Sequence, residues 1–393
     1  MLIALAGLIT MISMGVRLTN GLFLHPVVAA THLQIVEISF AFAVGQLMWG
    51  AFQPVFGILS DRRGPFFALA LGGILLAVGN IAAIWSDTMF WLIVSFGLLA
   101  PAGAAASSFG VVMAAISPRL PPSLKNLSGG VVNACGSAGQ FLFSPLNQFF
   151  ITCWGYGSAL MMMGLASLAI IPAAFGIDRG NTFHKTASTR EQSVKAALLI
   201  AAKNPSYLLL QVGFFTCGFH IAFLVTHLPG EISSCGHAAA VAGASLGLIG
   251  FCNIIGSLTT AWLGSFFKMK YILTVLYASR AVMIGLFLLS ARSEWDFYLF
   301  SAGMGLTWTS TVAPTASIVG KLFGLRYLAT LFGTTFLTHR IGGFLGALLG
   351  GMVVSSMGNY QWMWYADMTM ALIAALAHLP IREDAPIREK SPA

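Results

Sequence analysis

The stretch Gly57-Ile-Leu-Ser-Asp61-Arg62-Arg63-Gly64 lies between two long apolar runs of the sequence. Its two glycines permit a tight turn, and Asp61 can cap the start of the following helix. The charge of Arg62 would be costly in the hydrocarbon region of a membrane, so we expect this residue at the membrane face. The stretch therefore predicts a short polar loop that joins two membrane-spanning helices.

The composition of the whole chain predicts a protein whose solvent is lipid. Of its 393 residues, 57% are hydrophobic and 8% are charged, whereas soluble domains carry roughly a quarter charged residues. In lipid every backbone polar group needs an internal partner, and barrel-type strand alternation is absent, so helices must span the membrane. The five cysteines lack metal-ligand or disulfide spacing, and neither a metal nor a cofactor is expected. No Walker loop, zincin motif or nucleophile elbow indicates an enzyme.

Twelve apolar runs are long enough for membrane helices, which need about 20 residues each. We predict helices 1 to 6 near 4–25, 36–59, 65–86, 88–116, 125–151 and 155–176, and helices 7 to 12 near 205–228, 238–263, 271–291, 296–320, 327–355 and 361–379. The polar stretch after helix 6 predicts two six-helix bundles, 1–177 and 205–380. They are joined by a cytoplasmic linker, 178–204, and followed by a cytoplasmic tail, 381–393.

The basic residues test this arrangement. If the N-terminus is cytoplasmic, sixteen of the twenty Lys and Arg residues fall in cytoplasmic segments and only Arg292 lies outside. This asymmetry follows the positive-inside rule and predicts that both termini are cytoplasmic. It also explains the net charge of +8 without nucleic acid, because the charges are spread over membrane loops. The remaining three basic residues, Arg17, Arg280 and Arg340, fall inside helices.

The two halves of the sequence repeat one another. Gly15-Val-Arg17 in helix 1 matches Gly218-Phe-His220 in helix 7 at an offset of 203, and Leu24-His25-Pro26 matches His227-Leu228-Pro229 at the same offset. The loop that begins at Gly57 aligns with Ala261–Lys268 at an offset of 204. Parallel repeats of this kind place a substrate site between the halves, near the middle of the membrane.

The stretch from Gly57 to Gly64 resembles the signature loop of major facilitator transporters, in which Gly57, Asp61, Arg62 and Gly64 would form a gating motif. The second copy departs from it, because Ser265 stands where Asp61 would repeat. With twelve helices in two pseudo-repeats, the resemblance implies an all-α membrane protein of the major facilitator fold, and hence a secondary transporter.

A narrower resemblance covers most of the chain. GVRLTNGLFLHPV in helix 1, FAFAVGQLMWGAFQPVFG in helix 2, GSAGQFLFSPLNQ in helix 5 and THRIGGFLGALLGG in helix 11 resemble bacterial relatives of the monocarboxylate and oxalate/formate carriers. Membership implies transport of small organic anions, with protons or by exchange. The substrate arginine of the animal carriers lies in helix 8, so its role does not transfer directly to Arg280 in helix 9.

Charges within membrane helices usually have a partner or a function. Arg17 and Asn20 share one face of helix 1, and a guanidinium can bind a carboxylate through two hydrogen bonds. Arg340 and His339 lie in the middle of helix 11, where at most one of them can face the cavity. We therefore predict anion binding by Arg17 and Arg340. The alternative for Arg17 is a strut that bonds backbone carbonyls between helices, and the alternative for Arg340 is a structural role in which it pairs with another group.

Three further groups of candidates follow from their depth in the helices. Arg280 either pairs with Asp367 of helix 12, which lies at a similar depth, or binds substrate. His220 is the repeat mate of Arg17, and an imidazole can carry a coupling proton, although the sequence slightly favours a hydrogen-bonded core histidine. Gln140 and Trp308 complete the predicted substrate-binding residues.

The leading hypothesis is a monomeric secondary transporter of a small organic anion, multi-pass in the inner membrane of a bacterium. Its partners would be the anionic substrate, the lipid bilayer and a coupling proton handled by His220 or His339. The competing hypotheses keep the fold but differ in function. One is an exporter or importer of a metallophore or drug-like compound, and the other is a membrane receptor that binds ligand without transporting it.

Overall fold

The computed structural model describes residues 1–179, 198–324 and 328–383. Within these ranges the chain is almost entirely helical, and nine helices are long and apolar enough to cross a membrane. The predicted linker, 178–204, and tail, 381–393, lie mostly outside the described residues. The predicted all-α membrane fold is confirmed.

Twelve helical spans follow one another along the chain. The first six are α1 (Leu2–Ala30), α2 (Ile35–Arg63), α3 (Pro65–Trp85), α4 (Met89–Arg119), α5 (Pro122–Trp154) and α6 (Tyr156–Asp178). The second six are α7 (Pro205–Ser234), α8 (Ala239–Leu263), α9 (Met269–Leu289), α10 (Glu294–Thr307 and Val312–Phe323), α11 (Leu328–Met357) and α12 (Gln361–His378). Several helices extend a turn beyond the predicted apolar runs.

The turn between α2 and α3 is shorter than the sequence predicts. Helix α2 continues to Arg63, and the chain reverses at Gly64, with φ 91°, before Pro65 begins α3. Only glycine adopts this backbone conformation without strain. The prediction that Asp61 caps a helix start is wrong, because Asp61 lies in the last turn of α2. Gly57 lies inside the same helix and takes no part in the turn.

Turns of this kind define the two ends of the helical bundle. The end that carries Arg62, Arg119 and Lys321 is called the basic end below. Glycines with positive φ at Gly155, Gly236 and Gly358 make the turns at the opposite end. Because consecutive helices run in opposite directions, each connection lies at the end opposite to the one before it.

Buried apolar side chains form two large clusters, one within residues 6–177 and one mainly within residues 201–381. Helix α1 packs on α5 in the first half, and α7 packs on α11 in the second. Leu18 and Leu22 of α1 belong to the second cluster, so α1 contacts both halves. The halves also meet along α2 with α11 and α5 with α8.

Glycines bring the two halves close together at the end opposite the basic end. A Cβ atom at Gly21 would overlap the carbonyl oxygen of Val225, and one at Gly351 would overlap the Ser39 side chain. A Cβ at Gly243 would lie 2.7 Å from Gln148 Cβ. Since backbones approach this closely only where side chains are absent, these positions fix the seam between the halves.

The seam does not extend to the basic end. Gly57 in α2, Gly130 in α5 and Gly333 in α11 lie in the third of their helices nearest that end. None of the described atoms outside its own helix lies within 4 Å of a Cβ built there. Near the middle of the helices the halves still meet, at Gly50 against the side chain of Arg340 and at Asn253 against Ser137. The open space at the three glycines indicates a cleft between the halves at the basic end, whereas the opposite end is closely packed.

Helices α1, α4 and α10 are interrupted near the middle of their length, and α6 has a smaller break at Ala169. Helix α1 breaks after Arg17 and resumes through a 3-10 turn, Asn20–Phe23. Helix α4 contains a π-helical stretch, Ile93–Leu99, and breaks at Ser107 and Ser108, whereas α10 breaks after Thr307. The breaks in α4 and α10 coincide at the repeat offset of 203. Interrupted helices leave carbonyl and amide groups free, which is typical of transporter binding sites.

We predict that Gly64→Ala destabilises the protein, because alanine is strained at this φ, at a cost of about 1–3 kcal/mol. Fluorescence-detected thermal melting of the purified protein in detergent measures the effect as a lower melting temperature. Gly57→Ala is the matched control, since its Cβ meets open space in a helix. Equal melting temperatures for both variants would contradict the role assigned to the Gly64 turn.

Candidate functional site

A small cavity lies beside the break in α1, between both halves of the protein. Five helices line it. The lining consists of Arg17 and Asn20 of α1, Gln46 of α2, Leu76 of α3, Phe96 of α4 and Thr226 of α7, with their neighbours. Arg17 is the last residue of the first segment of α1, and Asn20 begins the 3-10 turn. The break thus places the predicted polar face of α1 in the cavity wall.

The polar atoms around this cavity are only partly satisfied. Arg17 donates a hydrogen bond from Nη1 to Gln46 Oε1, at 3.3 Å. Its Nε is buried without a hydrogen-bond partner in the described chain, and so is Oδ1 of Asn20. Buried polar atoms are nearly always paired, so these donors and acceptors can bind a polar ligand or water in the cavity.

Trp49 of α2 connects Arg17 to Arg340 of α11. The Cζ atom of Arg17 lies 3.7 Å from the centroid of the Trp49 ring, and the Cζ atom of Arg340 lies 3.3 Å from it. Two guanidinium groups so close to one centroid would overlap if they shared a face, so they must stack on opposite faces. The result is an Arg17–Trp49–Arg340 stack that joins the two halves. Cation–π attraction stabilises each contact by about 0.5–2 kcal/mol.

The stack concentrates positive charge without a matching negative group. No carboxylate forms an ion pair with Arg17 or Arg340 among the described residues. Arg340 is 2% exposed, and its Nε has no hydrogen-bond partner in that part of the chain. Burying an ionised group without a partner is costly, so this site favours a bound anion.

The other predicted substrate-binding residues lie at some distance from the α1 cavity lining. His339 packs its backbone against Gly218, and its Nδ1 is buried without a partner among the described atoms. Gln140 is fully buried where α5 meets α8, and neither of its side-chain amide atoms has a described partner. Trp308 is buried at the break of α10. None of these three lines the cavity beside Arg17.

Arg280 has a different partner from the one predicted. Its Nη2 donates to the backbone oxygen of Trp308 at 2.8 Å and also to that of Thr307, while its Nε donates to Thr307 Oγ1 at 3.2 Å. These carbonyls are free because α10 breaks there, and a cation is favourable at a helix C-terminus. Arg280 therefore stabilises the broken helix, and the predicted pair with Asp367 is not formed.

Asp367 instead contacts His220. Its Oδ2 lies 2.5 Å from His220 Nδ1, and the two side chains are 0% and 1% exposed. The pair joins α7 to α12 within the second half. The sequence placed Asp367 at the right depth but could not show the rotation of α12, which turns this carboxylate toward α7.

Trp49 is the main residue that the sequence analysis missed. It lies in the run Gly45-Gln-Leu-Met-Trp49-Gly50 of helix 2, among other large apolar residues, and nothing distinguishes it from a core tryptophan. The neighbouring residue, Gly50, is a signal that a large side chain packs here. A Cβ at Gly50 would collide with the Arg340 side chain, so Gly50 makes room for that arginine.

Comparison with family models matches residues 3–347 to the Major Facilitator Superfamily. The chain belongs to this superfamily. It is therefore a multi-pass membrane transporter and not an enzyme, as the sequence predicts. The family resemblance drawn from the loop between α2 and α3 is confirmed.

Relatives of known name are distant but cover most of the chain. Monocarboxylate transporter 13 of Rattus norvegicus is 24% identical over 349 residues, which cover 88% of this chain and 80% of that protein. The oxalate:formate antiporter of Oxalobacter formigenes is 24% identical over 391 residues, which cover 95% of this chain and 90% of the antiporter.

Solved structures share the fold at low sequence identity. The crystal structure of a D-xylose–proton symporter aligns with a TM-score of 0.78 at 13% identity, over 97% of this chain and 96% of the symporter. That of the nucleoside transporter NupG aligns with a TM-score of 0.80 at 12% identity, over 97% of this chain and 100% of NupG. At these identities the likeness concerns the fold alone.

We predict that Arg340→Gln raises the melting temperature of the ligand-free transporter by about 1–3 °C, because it removes a buried charge that lacks a partner. The matched control is Arg292→Gln. Arg292 forms an ion pair with Glu231, which is 2% exposed, so its loss leaves a buried carboxylate unpaired and lowers the melting temperature. Thermal melting in detergent measures both. A destabilised Arg340→Gln variant would show that Arg340 already has a sufficient partner.

Proposed function

We propose that this transporter carries a small organic anion with a carboxylate group, by alternating access between its two halves. The observation that carries the proposal is the Arg17–Trp49–Arg340 stack, in which the half-buried Arg17 and the buried Arg340 both lack a carboxylate among the described residues. Guanidinium groups bind carboxylates through paired, charge-assisted hydrogen bonds. The names of the two relatives, which refer to monocarboxylate and to oxalate and formate, support the same substrate class.

The position of the stack suits a transport cycle. Arg17 belongs to the first half and Arg340 to the second, so an anion bound by both would draw the halves together. The site lies at the inner limit of the cleft that is open at the basic end. We infer that closure of this cleft around the anion, followed by opening of the opposite seam, moves the substrate across the membrane.

The charge distribution supports an orientation for this cycle. Four basic residues lie at helix ends on the basic end: Arg62, Arg119, Lys268 and Lys321. We infer from the positive-inside rule that this end is cytoplasmic, with both chain termini on the same side. The structure would then correspond to an inward-facing state. Bacterial relatives support a location in a bacterial plasma membrane.

Uptake by proteoliposomes tests the proposed function. Labelled formate, acetate and oxalate serve as probes, and counterflow against the same unlabelled anion reports transport without an energy source. We expect counterflow of at least one anion, and we expect Arg17→Gln and Arg340→Gln each to reduce it at least about tenfold, because each removes a charge-assisted contact.

Arg382→Gln is the control for these variants, because Arg382 is exposed and lies beyond the end of α12. It should transport like the unmodified protein. Unchanged counterflow in both Arg17→Gln and Arg340→Gln would contradict anion binding by the stack. Failure of all three anions to exchange would contradict the substrate class.

A further inference from the structure

The buried pair of His220 and Asp367 has no place in anion binding as proposed above. It lies between α7 and α12, among Trp308 of α10 and the aromatic side chains of the second half. Its Nδ1–Oδ2 distance of 2.5 Å is short for a hydrogen bond and requires a proton between the two atoms. The remaining polar atoms of the pair decide what it can do.

Those remaining atoms are unsatisfied. Nε2 of His220 and Oδ1 of Asp367 are both buried without a hydrogen-bond partner in the described chain. With one proton between Nδ1 and Oδ2, the pair is a neutral imidazole and a carboxylate, and Nε2 then presents a lone pair. A second proton on Nε2 converts the imidazole to imidazolium and leaves the pair neutral overall. The pair can thus bind and release one proton without breaking its internal hydrogen bond.

The other titratable groups near the pair make contacts of their own, so the proton-binding role falls to the pair. Arg280 of α9 is held by the α10 carbonyls and supplies a fixed positive charge. Tyr277 of α9 donates to the Gly213 backbone oxygen at 2.6 Å, and Cys217 of α7 lies 3.4 Å from the Thr311 hydroxyl. His339 of α11 contacts Gly218 through its backbone. The positive charge of Arg280 offsets the negative charge of the pair when the pair holds one proton. When the pair holds two protons, Arg280 and the pair together carry one positive charge.

The pair also lies next to a chain of hydrogen bonds that runs from the break in α10 to the first half. The His220 ring is 6.1 Å from the ring of Trp308, at the break in α10. The next residue, Thr309, donates from its backbone N–H to Asn253 Oδ1 at 3.0 Å. Asn253 Nδ2 in turn donates to Ser137 Oγ of α5, in the first half, at 2.8 Å. The charge on the pair can therefore bias the contact between the halves through the broken helix.

We propose that the His220–Asp367 pair is the site at which this transporter binds a coupling proton, with Nε2 of His220 as the acceptor. The proposal rests on the proposed anion transport, because the proton would travel with the anion. Proton binding adds a positive charge to the half that contains Arg340, which favours the anion-loaded transporter. Release of both on the other side returns the pair to its single-proton form.

Two measurements on proteoliposomes separate this inference from the function on which it rests. Counterflow at equal pH reports anion exchange, and accumulation driven by an inward proton gradient reports coupling. In the unmodified protein we expect both. In Asp367→Asn and His220→Gln we expect counterflow to remain within about threefold, while gradient-driven accumulation falls at least about tenfold. Asp367→Glu, which keeps a carboxylate, should retain accumulation.

Glu231→Gln is the matched control. Glu231 is also a buried carboxylate, lies in α7 like His220, and is paired with a basic residue, Arg292. The Glu231→Gln variant should retain gradient-driven accumulation. Gradient-driven accumulation in Asp367→Asn equal to that of the unmodified protein would overturn the proton site. Equal loss of counterflow and accumulation in both Asp367→Asn and His220→Gln would also overturn it, since it would indicate a structural strut.

If neither variant folds, the same two measurements on the unmodified protein still test the proton site. Counterflow without any response to the proton gradient would refute the proton site and leave anion exchange standing. Absence of counterflow would refute anion transport itself, and the proton site with it. Acidification of the vesicle interior on addition of external anion, followed with a trapped pH dye, is the result expected of a coupled carrier.

Discussion

A positive charge within the membrane needs a negative partner, and the half-buried Arg17 and the buried Arg340 have none in the described chain. Arg17 and Arg340 stack on opposite faces of Trp49, which screens them from one another only in part. Their mutual repulsion opposes closure of the cleft while the site is empty. In the proposed function, a bound anion removes that opposition. The same interaction would then determine both which substrate binds and when the two halves can approach.

The surrounding structure is arranged to permit this interaction. Gly50 makes room for the Arg340 side chain, and the break after Arg17 brings Asn20 to the cavity. Close glycine contacts such as Gly21 on Val225 hold the opposite end shut. Because these contacts depend on the absence of a side chain, they can separate without breaking strong bonds. In the proposed cycle, one rigid-body movement would close the cleft at the basic end and open the seam at the opposite end.

The sequence predicts much of this architecture because lipid imposes simple rules. Apolar length gives the twelve spans, and the conflict between charge and hydrocarbon singles out Arg17 and Arg340. The breaks in the helices could not be predicted from the sequence, because they depend on contacts between residues far apart in the chain. Asn147 donates to Thr19 beside the break in α1, and Asn253 accepts from Thr309 beside the break in α10. For the same reason the partner of Arg280 was mistaken, since free carbonyls at Thr307 cannot be read from local sequence.

The most direct test of the account is a structure of the transporter with a brominated monocarboxylate, in which anomalous scattering locates the bromine atom. The account predicts a bromine position in the cleft beside Trp49, with the carboxylate within hydrogen-bond distance of both Arg17 and Arg340. A bound anion elsewhere in the protein, with the Arg17–Trp49–Arg340 stack unchanged and no ligand beside it, would contradict the central claim that these two arginines form the anion site.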